Sequence, residues 1–146
     1  MDIGQVGSGI NIGARFSLRV WCARISLRAV AYTFSMSRNA YAKKIHAILT
    51  PEERKLFSTL HSPSRIQDFL EGIPINFELK GETNYSPRML LQNRLSHCFE
   101  GAVFAAAVLA YHGEKPLLMD FATAYDDEDH TVALFKKGGR WGAISK

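Results

Sequence analysis

The spacing of apolar positions along the chain changes once, at Gly113. Before that point they recur at helical intervals. Asn39 to Ile48 is patterned as a short helix, and Thr50-Pro51-Glu52-Glu53 supplies the N-cap, first-turn proline and acidic first turn of a second one running to Leu60. Ser62-Pro63 breaks it, and Ser64 to Leu70 reads as a third helix with Ile66, Phe69 and Leu70 on one face, ended by Gly72. Ile73 to Pro87 is irregular, punctuated by Pro74, Gly81, Asn84 and Pro87, with a short strand expected over Asn76 to Leu79. Arg88 to Asn93 adds a helical turn.

The next segment has a different composition. From Ala102 to Ala110 no side chain is polar, which marks a helix buried on every side. Ser96 as N-cap, Glu100 in the first turn and Gly113 as a stop predict a helix from about His97 to His112. Nine wholly apolar residues are far fewer than the ~20 a membrane span needs, so this is a central helix. Cys98 falls in its first turn, where unpaired N–H groups and the helix dipole favour the thiolate. The competing reading is an inert cysteine, since cysteine is among the most buried residue types.

After Gly113 the pattern is that of strands. Pro116 to Ala122 is a short apolar run, Asp126 to Asp129 an acidic turn, and His130 to Phe135 a β-rich stretch. Lys136-Lys137-Gly138-Gly139-Arg140 reads as a hairpin connection and Trp141 to Ile144 as the returning strand. Helices followed by an antiparallel sheet predict an α+β fold. Neither an internal repeat nor a low-complexity segment is present.

Residues 1–35 stand apart: rich in arginine, nearly free of acid, with Arg19, Arg24 and Arg28 interrupting an apolar run. They read as a transit peptide, as a basic amphipathic surface helix, or as leader sequence ahead of a true start at Met36; three arginines argue against a membrane span. The expected organisation is therefore a basic, poorly ordered or non-native leader over 1–35 and one domain over 36–146. Charge follows this division. The net +4 arises because residues 1–44 hold seven bases against one acid, whereas the rest holds eleven bases against thirteen acids. With a slightly acidic body, no nucleic-acid partner is inferred. Two cysteines, Cys22 and Cys98, make no disulfide framework and suit a reducing, cytoplasmic setting.

A cysteine nucleophile needs a base within reach and usually a third group to orient that base. His130 opens a strand directly after the acidic turn, so a sheet packed on the Cys98 helix can bring the imidazole to the sulfur. A zinc site from His97, Cys98, His112 and His130 is disfavoured, because adjacent His97 and Cys98 point apart and no cysteine pair supports it; no metal or cofactor is expected. The Asp126–Asp129 run lacks the alternation of an EF-hand and reads as a solvated turn.

Cysteine at a helix start, an intervening strand, histidine heading a second strand and tryptophan on a third resemble the core of the transglutaminase-like superfamily of papain-type thiol enzymes. The H-C-x-E-G-A helix, D-x-D-H strand start and W-G-A-I-S-K strand are similar to a group of bacterial transglutaminase-like proteins, over about Ser96 to Lys146, with a looser match over Pro51–Gln92. The resemblance implies Cys98 as nucleophile and His130 as general base and acid. Where the superfamily usually places aspartate, four residues after the tryptophan, this chain has Ser145, which accepts a hydrogen bond but cannot offset imidazolium charge; Asp120 and Asp129 are the substitutes. The chain also stops where relatives would be expected to continue, which suggests a fragment. Gln92 has the spacing of a papain-type oxyanion glutamine, although the Cys98 N–H is the better donor, and Trp141 beside His130 would wall an acyl groove. The implied function is thiol-dependent acyl transfer or hydrolysis on a peptide or other amide or ester. The alternative is a non-catalytic binding or scaffold domain of the same fold.

Overall fold

The computed structural model describes residues 12–22, 25–34, 37–79, 81–122 and 129–146, with backbone only for 12–34 and Arg38. The elements run β1 (Ile12–Cys22), β2 (Ile25–Phe34), α1 (Arg38–Ile48), α2 (Pro51–Thr59), α3 (Pro63–Glu71), α4 (Pro87–Asn93), α5 (Cys98–Tyr111), β3 (Leu117–Ala122), β4 (His130–Lys137) and β5 (Arg140–Ile144). Short helices around one buried helix, which packs on an antiparallel sheet, make the fold α+β.

Local sequence sets where the short helices begin. Thr50 accepts the Glu53 N–H at 3.2 Å while the Glu53 carboxylate accepts the Thr50 N–H at 2.8 Å, a reciprocal capping box. Ser62 and Ser86 cap α3 and α4 by accepting the Arg65 and Met89 N–H, each ahead of a proline whose missing N–H costs nothing at a helix start. Arg94, left-handed at φ 54°, ends α4.

The core is built on α5. Its Ala102, Phe104, Ala105, Val108 and Leu109 are buried against Phe57, Ile66, Leu70 and Leu90 from the shorter helices and Ala133 and Ile144 from the sheet. The Phe104 ring stacks on Phe69 at 5.2 Å and meets Phe57 edge-on at 5.5 Å. The observed N-cap is His97 rather than Ser96. Ser96 is instead held in a parallel bridge to Ile75, donating to the Pro74 carbonyl and accepting from Asn76 N–H. That bridge replaces the strand expected over Asn76 to Leu79.

The sheet order is β1-β2-β3-β4-β5, antiparallel throughout. β1 and β2 fall within the stretch set apart in the sequence as a leader, and β2 pairs with β3 from Arg28↔Ala122 to Tyr32↔Leu118. Residues 12–22 and 25–34 are thus strands and not a surface helix; an apolar run broken by arginines fits either period. Residues 1–11, 23–24 and 35–36, and Asp126 to Glu128 of the acidic turn, lie outside the described residues. Among the described residues no helix is long and apolar enough to cross a membrane.

Candidate functional site

Cys98 is the first residue of α5 and half-buried, and it is a free thiol. It lines a cavity of about 890 Å³. One wall of the cavity is Ile75 to Glu78 with Glu82 to Asn84; the other is His97, Cys98 and Phe99, and Asp129, His130, Thr131 and Lys146 close it. A second cavity, of about 570 Å³, lies against α1, α5 and β3, and its described lining is apolar apart from Tyr41 and Lys44.

Cys98 and His130, far apart in sequence, therefore share one cavity, as the packing of β4 on α5 requires. The sulfur's hydrogen bond goes to the Asp129 carbonyl at 3.8 Å, one residue short of His130, and none joins it to the imidazole. Register accounts for this. Leu118 and Ala133 pair and face the core, so Asp120 and Thr131 are in phase with them, while His130 pairs with Phe121 one step out of phase.

The third-position candidates separate. Asp120 accepts the Thr131 hydroxyl at 2.8 Å across the β3–β4 pair. Asp129 is exposed at the cavity edge. Ser145 does not line the cavity, and its backbone is clamped by one side chain: Gln67 Nε2 donates to Ser145 O at 3.0 Å and Ser145 N–H donates to Gln67 Oε1 at 3.2 Å. The clamp extends β5 by one rung, and strand alternation then turns Lys146, not Ser145, to the helix side with Ile144. Gln92 is exposed on α4 and outside the cavity. Trp141, expected beside His130, pairs with Lys136 near the hairpin, with Lys136 Nζ 5.4 Å from its ring centroid. Lys136 lies six positions along β4 from His130, about 20 Å at strand spacing, because the Gly138-Gly139 turn fixes Trp141 at the far end.

Spacing alone did not reveal what Glu100 does. Its carboxylate is fully buried and accepts the Thr83 hydroxyl (2.7 Å), the Tyr85 N–H (2.9 Å), the His97 N–H (3.1 Å) and Asn76 Nδ2 (3.4 Å). Burial by itself raises its pKa, yet the bonds from Tyr85, Thr83 and His97 and the nearby imidazole outweigh it and hold the carboxyl below the usual range. The Thr83 hydroxyl has one proton, which the shorter contact assigns to Glu100, and the Thr83 N–H serves Glu78. His97 Nε2 donates to the Thr83 carbonyl at 3.1 Å with the Glu78 and Glu100 carboxylates 3.6 and 3.4 Å away. The Asn76–Tyr85 wall is thus tied to the first turn of the cysteine helix. An acid in the first turn was the sequence signal, and Asn76, Thr83 and Tyr85 lie 15 to 24 residues upstream.

Lys146 anchors the opposite side. Its ammonium donates to the Leu70 carbonyl at 2.7 Å and to the Ile73 carbonyl, and burial draws its pKa down against the opposing charge of Glu71. Its Cβ sits so close to Gly101 that a Cβ on that glycine would fall 2.7 Å away, which explains a glycine inside α5. Among the described residues no group of three His, Cys, Asp or Glu side chains is placed to hold a metal ion. No protein-family profile matches this chain, and no curated protein is significantly similar to it.

Proposed function

We propose that this chain is a transglutaminase-like thiol domain that attacks an amide or ester carbonyl through Cys98. The observation that carries the reading is the shared cavity: a free thiol at the head of α5, its sulfur 3.8 Å from the carbonyl oxygen preceding His130, with His130 lining the same cavity. Sγ adds to the carbonyl carbon as His130 takes the thiol proton, and the tetrahedral oxyanion is met by the first-turn N–H groups of Cys98 and Phe99. His130 returns the proton to the leaving amine or alcohol, leaving a thioester. Water or a second amine then attacks, again through His130, and frees the thiol. The Cys98–His130 bond, absent in the unliganded site, forms when substrate displaces the thiol from Asp129, since catalytic hydrogen bonds are often long in unliganded sites. The chemistry needs a reduced thiol, for which a cytoplasmic setting is suitable.

A second reading, a non-catalytic binding domain of the same fold, is favoured by the sulfur's bond to a backbone carbonyl and by the position of Ser145 outside the cavity. The two readings divide on the rate of iodoacetamide modification of Cys98 against pH in a Cys22→Ser background, where an ordinary thiol, with a pKa of about 8.5, reacts slowly in mild acid. The catalytic reading expects ready modification at mildly acidic pH, at least tenfold slower in His130→Ala and little altered in His97→Gln. A slow rate indifferent to His130 would instead establish the binding domain.

A further inference from the structure

Two helix faces meet across a space they do not fill. On α1, Tyr41, Lys44, Ile45 and Ile48 recur at the spacing of one helical face, and on α5 Val103, Ala106, Ala107 and Ala110 do the same. Both sets line the cavity of about 570 Å³, with Pro116 and Leu118 beside them. The α5 face accounts for the space, because three of its four residues are alanine and leave room that longer side chains would fill. This cavity shares no described lining residue with that of Cys98. Ala107 is nine residues along α5 from the cysteine, about 14 Å at the helical rise.

Two polar groups stand out against the apolar lining. Lys44 is exposed, and its ammonium has no carboxylate partner among the described residues. The Tyr41 hydroxyl is buried and makes no hydrogen bond, the one such atom among the described side chains. A buried donor without an acceptor is destabilising, and native proteins keep few of them. Tyr41 and Lys44, three residues apart, are neighbours on α1. Ile48 lines the cavity too and is 65% exposed, so the apolar surface continues out to solvent.

We infer that this cavity binds a single-chain aliphatic monocarboxylate, its chain laid between α1 and α5 and its carboxylate held by Lys44 and Tyr41. The volume falls in the roughly 300–1,000 Å³ range of small-molecule sites, which are mostly apolar with a few placed polar groups. Walls of alanine, valine, isoleucine and leucine offer dispersion contacts but no side-chain hydrogen bond, which selects a hydrocarbon. A carboxylate has two acceptor oxygens, one for the ammonium and one for the hydroxyl, and so supplies the acceptor that Tyr41 lacks. A cationic amphiphile of the same length meets Lys44 with like charge and is rejected. The site stands whether or not Cys98 is a nucleophile.

The test is isothermal titration calorimetry of the full chain with hexanoate, octanoate and decanoate below their micelle concentrations, beside decyltrimethylammonium. One saturable site for decanoate is expected, with affinity rising roughly fourfold per added methylene. The cation should bind at least about tenfold more weakly. Lys44→Gln, at an exposed position, should weaken decanoate about fivefold and narrow its lead over the cation. Tyr41→Phe should weaken decanoate about fivefold while raising the urea midpoint of the free protein, because the orphaned hydroxyl is gone. Ala107→Phe fills the space and should abolish binding, with far-UV circular dichroism showing the helices retained. Should that variant not fold, Lys44→Gln and Tyr41→Phe carry the test. No saturable decanoate binding, an affinity indifferent to chain length, or equal binding of the cation would overturn the inference. So would a decanoate affinity unchanged in both Lys44→Gln and Tyr41→Phe.

Discussion

Glu100 has the largest structural role of any single residue near the site, because its one carboxylate satisfies four donors from three parts of the chain. Glu100→Gln keeps the shape but turns an amide group toward donors, leaving at least one buried N–H or O–H unpaired. The expected loss is on the order of 3 kcal/mol in urea unfolding. Cys98 modification should also lose its dependence on His130, since the first turn of α5 is no longer fixed. Full stability in the variant would mean that the carboxylate is not the hub. Cys98 and His130 line one cavity, and each was announced locally, by a helix start and by a strand start. Sequence reading marked Glu100 only as a first-turn acid, because Asn76, Thr83 and Tyr85 sit in an irregular segment without a period. Ser145 was assigned by its distance from Trp141, but the phase of a strand end is decided by what clamps it, here Gln67.

At the scale of elements, the helices and the last three strands were legible because capping residues, prolines and a Gly-Gly turn mark their ends, and observed bounds fall within a residue or two of expectation. The strands of 12–22 and 25–34 were not, since a strand's period is lost when arginines interrupt it and pairing partners are distant. The β4–β5 hairpin shows how register feeds back on the core. Gly142 pairs with Phe135, and a Cβ there would overlap the Phe135 ring, which packs against the buried cluster. Gly142→Ala should therefore push the ring off its site and cost about 1–3 kcal/mol. Combining it with Phe135→Leu should return part of that loss, as a double-mutant cycle of urea midpoints would show. Simple additivity of the two changes would contradict the proposed packing of the ring over the glycine.

At the scale of the whole molecule, polar clamps hold short elements around one apolar helix. Arg88 grips Glu53 through two bonds of 2.6 and 2.7 Å, joining α4 to α2; Gln67 and Lys146 join α3 to the end of the sheet; Glu100 joins the cavity wall to α5. The Arg88 guanidinium holds the Glu53 carboxyl below the usual range, as its hydrogen bonds do for Glu100. A carboxylate whose folded pKa is depressed binds fewer protons folded than unfolded. Its contribution is complete above the unfolded value of about 4.3 and is lost as pH falls from there through the lower folded value. Lys146 has the same sign at the other end: burial depresses its folded value, so stability rises with pH between that value and about 10.4. Urea midpoints should thus fall steeply in acid, stay level near neutrality and rise in alkali until other groups titrate. Glu53→Gln and Glu100→Gln should each make the acid limb shallower, Glu100→Gln more so because the Glu53–Arg88 pair is partly solvated and screened. Lys146→Met should abolish the alkaline rise. An acid limb of unchanged slope in Glu100→Gln would show that its carboxyl titrates alike folded and unfolded, and that the wall of the cavity is held by packing instead of charge.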